Sequence, residues 1–215
     1  MNPENRGKGI GTTLMQRALE YLKQAGAETI RLEAEDTAVP LYRSLGFSEE
    51  FDSLRFAGYK NQSQEEFSER EIANMESEDI EKLTALDSKH FGSSRIRVLK
   101  RLFEDYPFHC FVANCAQKVV GYIMVRKIQD AYWIGPWVCE DSDLSRRLLE
   151  RCMRSIQGKD IELRIGFPSP NEAVSTLAQK EGFKFTGRSR RMVSGPRRYH
   201  GIPQGGYGIA GPEKG

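Results

Sequence analysis

An internal repeat sets the strongest limit on what this chain can fold into. Glu35–Phe47 (EDTAVPLYRSLGF) matches Asn171–Phe183 (NEAVSTLAQKEGF), and Ile30–Ala34 (IRLEA) matches Ile161–Ile165 (IELRI) just ahead of it. The helical segments before these strands also correspond once a short insertion before Asn171 is allowed. The chain therefore holds two copies of a helix–strand–helix–strand unit. The second copy follows a full set of strands and helices, whereas the first follows only the opening residues.

Hydrophobic periodicity places the elements. Gly11–Ala25 carries Leu14, Met15, Ala18, Leu19 and Leu22 on one helical face and is stopped by Gly26. Ile30–Ala34 alternates as a strand. Ala38–Leu45 reads as a helix closed by Gly46, and Phe47–Tyr59 as a strand. Lys60–Arg70 is polar and reads as a connector, with the linker proper at 63–70 between segments 1–62 and 71–215. Ile72–Asn74 then begins a strand. Ser77–His90 is an amphipathic helix, with Ser77 as the expected N-cap and Ile80, Leu83 and Leu86 inward. Arg95–Tyr106 is another helix, and Cys110–Asn114, Val119–Ile128 and Ala131–Val138 read as a meander. Leu144–Ile156, Asp160–Gly166, Glu172–Glu181 and Phe183–Met192 read as helix, strand, helix, strand. Gly201–Gly215, rich in Gly and Pro, is expected to be loosely ordered.

Composition removes several classes of function. A hydrophobic fraction of 39% is too high for a disordered chain. No run approaches the roughly 18–20 apolar residues of a membrane span. Met1–Arg6 has no apolar stretch, so no secretory signal is expected. A net charge of +2 argues against a protein that coats nucleic acid. Cys110, Cys115, Cys139 and Cys152 form no CxxC pair and read as free cytosolic thiols. His90, His109 and His200 are scattered, so no metal is expected.

One motif carries chemistry. Arg6-Gly7-Lys8-Gly9-Ile10-Gly11 stands directly before the first long helix. Glycines bring amide N–H groups close to an anion, the helix points its positive end at the same spot, and Arg6 and Lys8 add charge. The run lacks the Gly-Lys-Ser/Thr ending of a triphosphatase loop and the strand-first context of a dinucleotide fingerprint. Alone, it also suits a flexible tag or an ordinary Gly-rich helix cap.

A second element, Ala38, Tyr42, Gly46 and Phe47 (A-x-x-x-Y-x-x-x-G-F), follows at fixed spacing. R-x-x-G-x-G, amphipathic helix, strand and this helix together resemble the GNAT superfamily of N-acetyltransferases over Asn2–Phe47. Leu32–Phe47 is similar to YitH-like tandem acetyltransferases, as are Ile134–Val138 (IGPWV) and Tyr207–Gly215 (YGIAGPEKG). The resemblance implies an α/β (α+β) fold with a mixed, mostly antiparallel sheet flanked by helices. It implies the C-terminal half of one acetyl-CoA-binding domain (1–62) followed by a complete, divergent one (71–215). It implies that Arg6, Gly7, Lys8, Gly9, Ile10, Gly11 and Thr12 hold the pyrophosphate of acetyl-CoA. Tyr42, a phenol protonated at neutral pH, would give a proton to the departing thiolate as acetyl passes to an amine. The acceptor is not legible; a homodimer is compatible with the resemblance, and no membrane or nucleic-acid partner is expected.

Both copies depart from the pattern. In the second, the loop position falls near Pro136–Ser142, where Glu140 and Asp141 would repel a pyrophosphate. Ala178 replaces Tyr42, and Asn171 alone does little. That half is expected not to bind acetyl-CoA in the usual way, and a non-catalytic binding or regulatory module is the alternative reading for it. The first copy lacks the strands that the resemblance puts ahead of Arg6, and about 60 residues rarely make a robust core alone. A fragment or mis-set start, a half supplied by another chain, or a half leaning on the second segment would each answer this. The first is favoured, and it predicts little or no activity from this chain alone.

The remaining features have plainer readings. The basic run Lys184–His200 is read as a solvated strand edge rather than an anion-binding patch. Arg146, Arg147, Arg151 and Arg154 are read as the polar face of a helix. Tyr132, Trp133 and Trp137 are read as core, and Glu33, Glu35 and Asp36 are given no role.

Overall fold

The computed structural model describes residues 7–59, 71–116, 118–158, 160–197 and 201–211. In chain order these form α1 (Ile10–Gln24), β1 (Ile30–Ala34), α2 (Val39–Ser44), β2 (Ser48–Tyr59), β3 (Ile72–Asn74), α3 (Ser77–Phe91) and α4 (Ile96–Asp105). There follow β4 (Cys110–Cys115), β5 (Lys118–Ile128), β6 (Ala131–Cys139), α5 (Ser142–Ser155), β7 (Glu162–Pro168), α6 (Glu172–Lys180), β8 (Lys184–Ser194) and β9 (Gly206–Gly208). The connector, Lys60–Arg70, lies outside the described residues.

All nine strands among the described residues join one sheet, in the order β1-β8-β2-β7-β6-β5-β4-β3, with β9 on β6. Every pairing is antiparallel except β6 with β7. The two repeats, β1–α2–β2 and β7–α6–β8, exchange their last strands. β8 lies between β1 and β2, and β2 lies between β7 and β8. The first segment thus leans on the second through a continuous backbone ladder. β5 and β6 alternate their side chains between two cores. Ile123, Val125 and Trp137 face α5 and α6, whereas Tyr122, Met124 and Val138 face α3 and α4.

Five expectations change. The face of α1 is only partly covered: Leu19 is buried, but Leu14 is 63% exposed and Leu22 37%. Leu19 sits on Ile30, Leu32 and Ala34 of β1, which ends the sheet, so no further strand among the described residues lies under Leu14 and Leu22. Ser77 is not the cap of α3. Glu76 is, in a reciprocal capping box in which Asp79 Oδ2 accepts from the Glu76 N–H at 3.0 Å. Over Lys184–Ser194 the basic run is no solvated edge, because β8 is interior to the sheet; its last residues, 198–200, lie outside the described residues. Its arginines meet acids of the first repeat across the strands: Arg188 and Arg190 reach Asp52 at 3.0 Å, Arg190 reaches Asp36, and Arg191 reaches Glu33. Glu33 and Asp36 therefore have a role, neutralising that strand, and Glu35 pairs with Arg55 at 2.7 Å. Finally, the tail is packed over 201–211, where Tyr207, Ile209 and Ala210 are buried; 212–215 lie outside the described residues.

Candidate functional site

The glycine loop has the backbone its sequence requires. Gly7 and Gly9 both sit at φ +74°, and a Cβ at either would meet nothing within 4 Å. Conformation rather than space therefore demands glycine. Gly9 is the N-cap of α1 and offers no side chain to its amides, and no acid stands in the first turn. The first intrahelical bond runs from Thr13 N–H to the Gly9 carbonyl at 3.0 Å. The N–H groups of Ile10, Gly11 and Thr12 lie ahead of it and have no acceptor within the helix. Lys8 lies in the exposed turn beside them. Such a helix end fits a polyphosphate: the first-turn donors and the helix dipole meet there, with no acid in the first turn of α1. Arg6 lies outside the described residues.

Tyr42 stands half-buried on α2, its ring edge-on to Phe47 at 5.9 Å between centroids. Pro40 opens α2, and Gly46 at φ +86° closes it. Chain reversal there lets the Tyr42 carbonyl accept from the Leu45 and Phe47 N–H groups. α1 and α2 meet on one small core of Leu19, Ala34, Val39, Phe47 and Met192, against which Tyr42 packs. Loop-bearing helix and tyrosine-bearing helix are thus held on the same face of β1.

The second repeat fills the corresponding places with its own groups. The N-cap of α5 is Asp141, whose Oδ1 accepts from the N–H groups of Asp143 at 2.9 Å and Leu144 at 2.8 Å. Those amides are consumed, and Asp143 adds a second negative charge. Ala178 is buried on α6. Asn171 caps α6 through the Val174 N–H, and its Nδ2 donates to the Gly206 carbonyl at 3.0 Å.

The tail then enters the gap where β6 and β7 part. Their parallel pairing spans only Ala131–Ile134 with Glu162–Ile165. Beyond it, Gly206 and Gly208 pair with Val138 and Trp137, and Ile209 N–H bonds the Gly166 carbonyl at 2.7 Å. Trp133 Nε1 donates to the Ile209 carbonyl at 2.9 Å, and the Trp137 and Tyr207 rings lie 5.0 Å apart. A Cβ on Gly135 would meet the Ile209 carbonyl oxygen at 2.0 Å. Gly135→Ala is therefore expected to lift the tail, costing about 2 kcal/mol or more from overpacking and a strained φ. Red-shifted tryptophan emission reads this directly, because both tryptophans flank the tail; an unchanged spectrum and stability would contradict it.

Comparison with known proteins decides the family. A profile of the acetyltransferase (GNAT) domain matches residues 83–204, more than half of the chain. The chain belongs to the GNAT acetyltransferases. A profile of the acetyltransferase (GNAT) family matches residues 1–47, the segment of the loop and Tyr42. The chain is 24% identical over 193 residues to holothin acyltransferase of Pseudoalteromonas sp. (strain SANK 73390), covering 90% of this chain and 64% of that protein. It is 23% identical over 184 residues to the uncharacterized N-acetyltransferase YitH of Bacillus subtilis (strain 168), covering 85% and 63%. It thus spans less than two thirds of the length of these relatives. A crystallised Pyrococcus horikoshii protein proposed to be an acetyltransferase shares the fold at TM-score 0.78 and 22% identity, over 99% of this chain and 68% of that one.

The GNAT reaction class is acyl transfer from acetyl-CoA. No helix among the described residues is long and apolar enough to cross a membrane. No group of His, Cys, Asp and Glu among them is placed to hold a metal ion. All four cysteines are free. The sequence reading missed the packing of the tail, although Tyr207 and Ile209 were the signal: large apolar residues in a run otherwise suited to a loop.

Proposed function

We propose that the first repeat holds acetyl-CoA and passes its acetyl group to an amine, with one cofactor site in this chain. Residues 1–62 carry that site, and 71–215 form a divergent GNAT-like unit that supports it, in the manner of a tandem acetyltransferase. The observation that carries this reading is the contrast between two helix ends. Gly9 leaves the first-turn amides of α1 to a ligand, whereas Asp141 takes those of α5 for itself. In this reading Gly7, Lys8, Gly9, Ile10, Gly11 and Thr12, together with Arg6, bind the pyrophosphate. Acetyl-CoA supplies the activated acyl group. Tyr42 holds a proton on its phenolic oxygen for the thiolate that leaves.

A second reading applies to the second unit alone. With β9 in the gap between β6 and β7 and Asp141 on its amides, that unit serves as a binding or regulatory module. Tyr42→Phe separates catalyst from module. It is expected to lower acetyl transfer to an amine panel about 100-fold or more, within the range for loss of a general acid, with CoA affinity in calorimetry unchanged. Equal turnover in the variant would remove Tyr42 from the chemistry.

A further inference from the structure

A cleft opens where the two repeats meet, floored by β1, β8 and β2 and lined also by α3 and the tail. Its water-accessible interior is about 50 Å³, and its mouth opens to solvent. Its floor carries four charges that cancel. Arg31 Nε donates to Glu50 at 3.0 Å, and Arg191 Nη1 to Glu33 at 3.3 Å. Arg95, a third guanidinium lining the cleft, is neutralised by Asp87 at 2.9 Å. Phe51, Phe91, Pro168 and Ile209 make the walls apolar.

Two of the floor groups keep unused capacity. Glu33 is engaged by Ser53, Ser189 and Arg191. Arg191, more than nine-tenths buried, makes no hydrogen bond from Nε, which lies 3.9 Å from Glu50 Oε2. Glu50 accepts from Arg31 Nε on both oxygens, and a carboxylate offers about four acceptor positions. A buried donor without a partner is costly to maintain, and burial pushes the Arg191 guanidinium down from its ordinary pKa despite the pull of Glu33. A ligand with net charge would leave that charge uncompensated over a neutral floor. An amine arrives at neutral pH as an ammonium, so it needs a negative group of its own to enter balanced.

We propose that this cleft binds a small zwitterion, an ammonium and a carboxylate on an apolar body, with its carboxylate on Arg191 Nε and its ammonium on Glu50. That the zwitterion is the acyl acceptor rests on the acetyltransferase reading; its binding does not.

Calorimetric titration of the chain without acetyl-CoA tests this, using L-leucine, L-phenylalanine, leucinamide and 4-methylpentanoate. At least one amino acid is expected to bind tenfold or more tightly than the amide or the acid. Glu50→Gln and Arg191→Gln are each expected to weaken it at least tenfold. Glu50→Gln is close in shape to the original residue, and an unchanged thermal transition certifies its fold. No binding by either amino acid, equal binding of leucinamide, or indifference to both substitutions would overturn the proposal. A separate acetyl-CoA titration keeps the two readings apart, since its failure would strike the cofactor site and leave the zwitterion result standing.

Discussion

Gly9→Glu is expected to weaken CoA binding at least about 100-fold in a calorimetric titration at neutral pH. Two effects add. A side chain at φ +74° costs about 1–2 kcal/mol, so the loop moves to relieve it. The new carboxylate also reaches the first-turn amides, as Asp141 does on α5, and occupies the donors a pyrophosphate would use. Each charge-assisted hydrogen bond lost is worth about 1.5–3 kcal/mol, and every 1.4 kcal/mol is tenfold in affinity. Gly26→Ala is the control. Gly26 sits at φ +86° at the other end of α1 with nothing near its Cβ, so it carries the same backbone strain without touching the loop. Its CoA affinity is expected to stay unchanged. Full affinity in Gly9→Glu would move the cofactor away from this loop.

The largest loss of stability is expected from Asp87→Ala. Asp87 is fully buried on α3 and accepts from Arg95 Nε at 3.0 and 3.1 Å, from Arg95 Nη2 at 2.9 Å and from the Tyr122 hydroxyl. Burial and the neighbouring Asp87 hold the Tyr122 phenol well above its ordinary pKa, so it stays a donor. Removing the carboxylate takes from the buried Arg95 guanidinium the charge that accepts three of its hydrogen bonds. Breaking a buried pair in this way costs about 3–5 kcal/mol. Urea unfolding of Arg101→Ala gives the comparison, because that arginine pairs with Asp105 at the surface and is worth about 0.5 kcal/mol or less. A loss in Asp87→Ala below about 1 kcal/mol would show that the Asp87–Arg95 pair is not what holds α3 and α4 in place.

What could be read in advance follows the range of the forces involved. β1 has the bounds that alternation in Ile30–Ala34 predicted, and the other elements lie within a few residues of their expected ends, except β9, which was not expected. Periodicity is local, and so are the stops at Gly26 and Gly46. The loop was legible for the same reason: left-handed glycines and a missing cap are properties of neighbouring residues. The cap of α3 was missed because Ser77 and Glu76 both suit the role, and the reciprocal bond from Asp79 decides between them. The arginines of β8 were misread because Glu33, Asp36 and Asp52 stand more than a hundred residues earlier in the chain. The repeat was visible, but the exchange of β2 and β8 was not. Pairing across copies leaves no mark in either copy's own pattern. The cleft between the repeats was invisible for the same reason, since Arg31 and Arg191 meet only through that exchange.

The exchanged strands also set a timetable for synthesis. β1 ends at Ala34, and the strand that lies beside it, β8, begins at Lys184. At about 5–20 residues per second, roughly eight to thirty seconds separate their emergence from the ribosome. Through that interval β1 waits for its neighbour, and β2 waits for both of its own. The nascent chain must keep those hydrogen-bonding edges shielded until β8 arrives to seal them.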